Sequence, residues 1–213
     1  MANTSRVNGF RPVKHLSGAP YNGQFNIYEI VAGNGDITNI GDLVKADAGT
    51  ATDVYPTCIR AAASNAGEIT SGALLGAIVG FVQSPVGSGQ GSSVGTQPVL
   101  DVPTSVTRAA STKRYAMVAD APDLIFEAQD GGTVPCTLTL IGMNTGYLPT
   151  AGSTTSGASG MTTGSTAPTT TSTLPLRIMG IVNSPDNASA AASQKLLVMI
   201  NVHQLNTVGT AGV

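Results

Sequence analysis

The sequence predicts an all-β fold, an antiparallel β-barrel or sandwich, from three observations. Its apolar runs are short and rich in β-branched residues. Gly, Pro, Asn and Ser turn signals separate them at close spacing. The chain also repeats itself: Ile78-Val79-Gly80-Phe81-Val82-Gln83-Ser84-Pro85 returns as Ile178-Met179-Gly180-Ile181-Val182-Asn183-Ser184-Pro185. Downstream, Ala109-Ala110-Ser111-Thr112-Lys113-Arg114-Tyr115-Ala116-Met117 returns as Ala191-Ala192-Ser193-Gln194-Lys195-Leu196-Leu197-Val198-Met199, in the same order. An internally repeated strand pair is the simplest physical reading.

Residues 1–24 read as an extended N-terminal arm. Pro12, Pro20 and several glycines bar a regular helix, and Tyr21-Asn22-Gly23 signals a turn. Val7, Phe10, Val13, Leu16 and Tyr21 make the arm too apolar for a disordered tail, so it is expected to lie on something.

Residues 25–213 read as a single β domain. A strand over 25–31 ends at Gly33-Asn34-Gly35-Asp36, and two short strands follow over 42–46 and 54–61. The continuous apolar run over 73–83, stopped by Ser84-Pro85, predicts a strand covered on both faces. Residues 86–95 are a Gly/Ser loop, and Pro98 and Pro103 confine an extended stretch over 99–107 to a sheet edge. A strand over 113–119 turns at Asp120-Ala121-Pro122-Asp123 into another over 124–128. Val134, Cys136, Leu138 and Leu140 alternate with Pro135, Thr137 and Thr139, the period of a half-buried strand. In residues 150–173, 15 of 24 are Ser or Thr; a flexible surface loop competes with a hydroxyl-rich strand and turn region, and the recurrent glycines favour the loop. Strands over 175–182 and 195–203 close the fold. Between them Asp186 or Asn187 as a cap and the following alanines allow one short helical turn.

Composition narrows the function classes. The chain has 213 residues, 41% of them hydrophobic, with no Trp, so its core is aliphatic. Charged residues make up 10%, against about 25% in ordinary domains, which fits a surface of hydroxyls and small side chains covered in part by partners. A net charge of −2 with no basic stripe argues against nucleic acid. The adjacent pair Lys113-Arg114 reads as a solvated strand end. Cys58 and Cys136 each lie in an apolar run and read as buried free thiols, formed under reducing conditions. The N-terminus lacks an apolar secretory segment, and the run from Ala73 to Val82 is half of the roughly 20 residues a membrane helix needs. The sequons at Asn3 and Asn187 carry no weight without a secretory signal.

No motif announces catalysis. His15 and His203 have no neighbouring Cys or acid at metal-ligand spacing. Gly87-Ser88-Gly89-Gln90-Gly91 lacks the Lys-Ser/Thr of a phosphate loop and reads as a flexible tip. Asp120, Asp123, Glu127 and Asp130 form the densest acidic cluster, without the order of a calcium loop; a turn whose carboxylates accept backbone N–H bonds is the simpler reading. No serine lies in a Gly-x-Ser-x-Gly frame at a strand-to-helix turn. No catalytic, cofactor-binding or metal-ligating residue is assigned, and no cofactor is expected.

The stretch from Asn8 to Gly23, with Gly-Phe-Arg-Pro-Val and then Pro-Tyr-Asn-Gly, resembles the start of a group of tailed-bacteriophage head proteins. Residues 114–123 and 176–182 are similar to further stretches shared by that group. The resemblance implies a non-enzymatic capsid cement, or decoration, protein. Such proteins bind the outer surface of the icosahedral capsid, often as homotrimers, and stabilise contacts between major capsid subunits. It implies the major capsid protein as partner, the capsid exterior of the virion as location and the bacterial host cytoplasm as place of assembly, with no direct nucleic-acid or membrane contact. The arm residues Phe10, Arg11, Pro12, Tyr21 and Asn22 are expected at the capsid or inter-subunit interface, with packing of Phe10 and Tyr21 on the chain's own β domain as the alternative. Two alternatives stay open. One is another phage head or tail subunit, although no long spine helix of a major capsid protein is visible. The other is a surface carbohydrate-binding β module, which the lack of Trp disfavours.

Overall fold

The structure, a computed structural model, describes residues 3–47, 55–63, 66–82, 107–132, 135–188 and 191–206. The Gly/Ser segment 86–95 and nearly all of the stretch 99–107 lie outside them.

Two five-stranded antiparallel sheets pack as a sandwich. In the first, β2 (Asn26–Ile30), β8 (Arg114–Ala119), β6 (Gly76–Val82), β4 (Leu43–Ala46) and β5 (Cys58–Arg60) lie in that order. In the second the order is β1 (Arg11–His15), β9 (Leu124–Gln129), β14 (Lys195–Ile200), β13 (Leu176–Ile181) and β10 (Asn144–Thr145). Two small ladders, β3 (Thr38–Asn39) with β7 (Thr107–Arg108) and β11 (Tyr147–Leu148) with β12 (Thr162–Thr163), close the ends. The turn at Asp120–Asp123 carries the chain from one sheet to the other.

The main core lies between the sheets. Leu43, Ala77 and Ala119 of the first meet Phe126, Leu176, Ile178 and Val198 of the second, with Phe10 and Met161 filling in. A second core of Tyr28, Ile30, Val44, Cys58, Ile78, Phe81 and Val118 lies inside the curl of the first sheet. This explains why β6 reads as a continuous apolar run: every residue of it but Val79 is buried. The curl brings β2 to the far edge, where Glu29 N donates to Pro56 O at 2.8 Å and Glu29 bridges Thr57. That single bridge does not make a ladder, so the sheet is curled and no barrel closes.

The sequence echo is a structural duplication. β2, β8 and β6 neighbour one another as β9, β14 and β13 do, and β4 and β10 flank β6 and β13. Ile27 and Tyr28 face Met117 and Ala116, just as Ile125 and Phe126 face Met199 and Val198. Glu29 pairs with Lys113 at 3.2 Å, and Glu127 with Lys195 at 2.8 Å. Each last strand follows a serine in the left-handed region, Ser111 at φ 55° and Ser193 at φ 59°. Gly41 N donates to Ile78 O and Gly142 N to Ile178 O, both at 2.8 Å. Both inner strands bulge inside Ile-x-Gly, between Ile78 and Gly80 and between Ile178 and Gly180. Ile78 faces Val118, one residue past Met117, whereas Ile178 faces Val198, one residue before Met199. The two halves thus differ by a slip of two residues, which leaves every side chain on its own face.

The arm lies on its own domain: Arg11–His15 is the edge strand of the second sheet, paired with β9. Three expectations are corrected. The described part of the alternating stretch, residues 135–140, forms no strand. Leu138–Leu140 is a 3-10 turn with Leu138 70% exposed, because Ile141 to Thr145 already occupy the edge of β13. Residues 150–173 are not a free loop. Ser159, Met161, Thr162 and Thr163 are buried, and small residues let this hairpin approach closely: a Cβ on Gly160 would lie 2.1 Å from Ala151 O. No helix forms over the described part of 186–197, where Asn187 instead receives Lys195 N at 2.8 Å and donates to Val182 O at 2.7 Å.

Candidate interaction surface

The arm supplies both core and surface. Phe10 is 1% exposed and its N–H donates to Gly41 O at 2.9 Å, so it anchors β1 to the turn before β4. Gly9 and Gly41 both adopt positive φ there, and a Cβ on Gly9 would lie 2.4 Å from Gly41 O. Pro12 is half-buried opposite Phe126. Tyr21 is half-buried against the main core, and its hydroxyl donates to Gln24 O at 2.8 Å. Burial raises the Tyr21 pKa, and the Asp120 carboxylate adds to it. Of the five expected interface residues, Arg11 and Asn22 are exposed, while Phe10 is core in this subunit.

After β1 the chain doubles back. His15 N–H donates to Ala19 O at 2.8 Å and Tyr21 N–H to Val13 O at 2.9 Å. An open groove of about 470 Å³ runs beside this hairpin, lined by His15, Tyr21, Phe25, Asn26, Asp120 and Leu205 among others. Its rim is apolar and wet: Phe25 is 39% exposed and Leu205 57%. Along the arm, Val13 is 41% and Leu16 54% exposed. The bulge between Pro12 and Lys14 leaves Val13 without a ladder partner.

The acidic residues singled out by sequence are each engaged by protein groups. Asp120 accepts from Tyr28 Oη at 2.6 Å and from Asn26 Nδ2 at 2.9 Å. Asp123 lies 3.1 Å from His15 Nδ1, Glu127 pairs with Lys195, and Asp130 accepts from Gly132 N. Burial raises the Asp130 pKa, against the pull of those hydrogen bonds. Among the described residues no group of three or more His, Cys, Asp or Glu is placed to hold a metal ion. Cys58 and Cys136 are buried free thiols, with burial pushing them up to about 12 and about 11.

Two buried arginines went unnoticed in the sequence. Arg108 donates to the carbonyls of Val31, Asn34, Asp36 and Thr112, tying down the loop after β2. Arg60 donates to Asp42, Ala62, Pro149 and Thr150. Glu68 does the converse for the Ser/Thr segment, accepting from the backbone and hydroxyl groups of Ser165 and Thr166. Arg60, Arg108 and Glu68 thus act as internal staples. No family model, no curated protein and no solved structure matches the chain.

Proposed function

We propose that the chain is a non-enzymatic virion structural subunit, a cement protein on the outer surface of a bacteriophage capsid that bridges major capsid subunits, as a homotrimer. The reading rests on the resemblance over residues 8–23, 114–123 and 176–182. The single structural observation that carries it is the cluster of wet apolar side chains along the arm and groove: Val13, Leu16, Phe25 and Leu205. Four of the seven exposed large apolar side chains among the described residues thus lie along the arm and groove, and apolar side chains kept wet together mark an interaction surface. A cement protein needs only a modest contact per copy, since copies held together on a lattice reinforce one another. A surface with few charges lowers the cost of desolvating that contact.

The test is co-sedimentation of the purified chain with shells of its encoding phage prepared without it, alongside its solution mass by light scattering. Saturable binding of a trimer supports the proposal. A compact monomer that ignores the shells sinks it and favours the carbohydrate-binding alternative. Deleting the whole arm is a poor probe, because it removes β1 and the core residue Phe10 together.

A further inference from the structure

We propose that the partner face docking on β1 is acidic as well as apolar, and that Arg11 and Lys14 select it. The inference rests on the cement-protein reading and names the chemistry of its contact. Arg11 is exposed and Lys14 half-exposed, on either side of the exposed Val13 and followed by the exposed Leu16. Neither cation forms an ion pair with the described residues. The acids nearest in the ladder are engaged elsewhere: Glu127, opposite Arg11, is held by Lys195 at 2.8 Å, and Asp123 lies against His15. Arg6 and Lys45 likewise form no ion pair with the described residues but are not flanked by exposed large apolar side chains, whereas Arg60, Arg108, Lys113 and Lys195 have internal partners.

The apolar rim continues from β1 around the groove. Val13 O holds Tyr21 N, Tyr21 lines the groove, and Phe25 and Leu205 stand on its edge. Unneutralised cations among wet apolar side chains complement a surface of opposite sign, and complementary potentials set encounter rate and partner choice. The capsid subunit face that seats on β1 therefore carries carboxylates spaced to meet Arg11 and Lys14, around apolar positions that take Val13 and Leu16.

The experiment uses the full chain and the same cement-free shells, over a series of salt concentrations. Wild type is expected to bind more weakly as salt rises. The R11E/K14E double variant is expected to lose about tenfold or more in affinity at low salt and to show a flattened salt dependence. V13S/L16S is expected to lose affinity with the wild-type salt dependence kept. Thermal melts check that the variants fold, and R11Q/K14Q replaces the reversal if it does not. Wild type that fails to bind shells overturns the cement reading itself. Wild type that binds, with R11E/K14E binding equally and with the same salt dependence, overturns this inference alone. So does a charge reversal that changes the solution mass but not shell binding, which assigns the surface to a second copy of the chain.

Discussion

Asp42 has no exposed surface and lies among Arg60 Nε at 3.1 Å, Ser159 Oγ at 2.5 Å and Asn39 N at 2.9 Å. Burial pushes its carboxyl up, while Arg60 and the hydrogen bonds pull it down. A buried pair of this kind adds little net stability, but breaking it strands a charge. Arg60→Ala is therefore expected to lower the unfolding free energy by about 3–5 kcal/mol, read by urea titration, and it also frees the carbonyls of Pro149 and Thr150. His203 supplies a pH-dependent term. It is 2% exposed, its Nδ1 accepts from Leu205 N at 3.1 Å, and burial lowers its pKa below 6.5, against the pull of the Asp120 carboxylate and the Leu75 backbone. The folded state thus resists a proton that the unfolded chain accepts. The stability tied to neutral His203 is full above about pH 6.5 and falls as pH drops towards the folded value. Asp42 and Asp130, with raised pKa values, slope the other way at lower pH. The difference between wild type and His203→Gln, in urea titrations from pH 7.5 to pH 5, isolates the histidine. The variant is expected to lose less stability over that range, and equal slopes would remove His203 from the account.

At the scale of elements, the paired bulges give a contrast between two glycines at matching places in the echo. A Cβ on Gly180 would meet only Leu197 Cδ1, at an ordinary 3.9 Å. A Cβ on Gly80 would lie 2.2 Å from Met117 Cε. The slip of two residues causes this, because Gly80 faces Met117 while Gly180 faces Leu197. Gly180→Ala is expected to change stability by less than about 1 kcal/mol, since it relieves an entropic cost of glycine. Gly80→Ala is expected to cost about 1 kcal/mol, as the terminal methyl of Met117 must swing aside. Thermal melts of the two variants side by side decide the matter. The duplication was half legible at this scale. The echoes at Ile78 and Ile178 and at Ala109 and Ala191 stood out because turn and bulge residues are chemically constrained. The matching outer strands, Ile27-Tyr28-Glu29 and Ile125-Phe126-Glu127, were missed because three similar residues carry little signal alone. Only their common pairing with Lys113 and Lys195 reveals them.

In the whole molecule, the first half supplies one sheet and the edge strand β1 of the other, and neither half owns the main core. Leu43, Ala77 and Ala119 come from the first half, and Phe126, Leu176, Ile178 and Val198 from the second. Two fragments, 1–119 and 124–213, are accordingly expected to lack near-ultraviolet circular dichroism apart and to regain it when mixed. A fragment that folds alone would show that its curled core suffices. Hydrophobic burial grows with size, and a half-chain here exposes the inner face of its sheet.

The sequence by itself determined the strand class, the aliphatic core, the buried thiols and the existence of a repeat. These depend on local periodicity and on residue types that have few other places to go. Tertiary structure alone decided where the arm lies, what the Ser/Thr segment does and which cations stay unpaired. Phe10 is a core residue only because Gly9 and Gly41 let two backbones meet, and Ser159 is buried only because Asp42 needs its hydroxyl. Arg11 and Lys14 resemble Arg60 and Lys113 in sequence. They differ in having no carboxylate of their own fold left to hold them, and that depends on contacts between residues far apart in the chain.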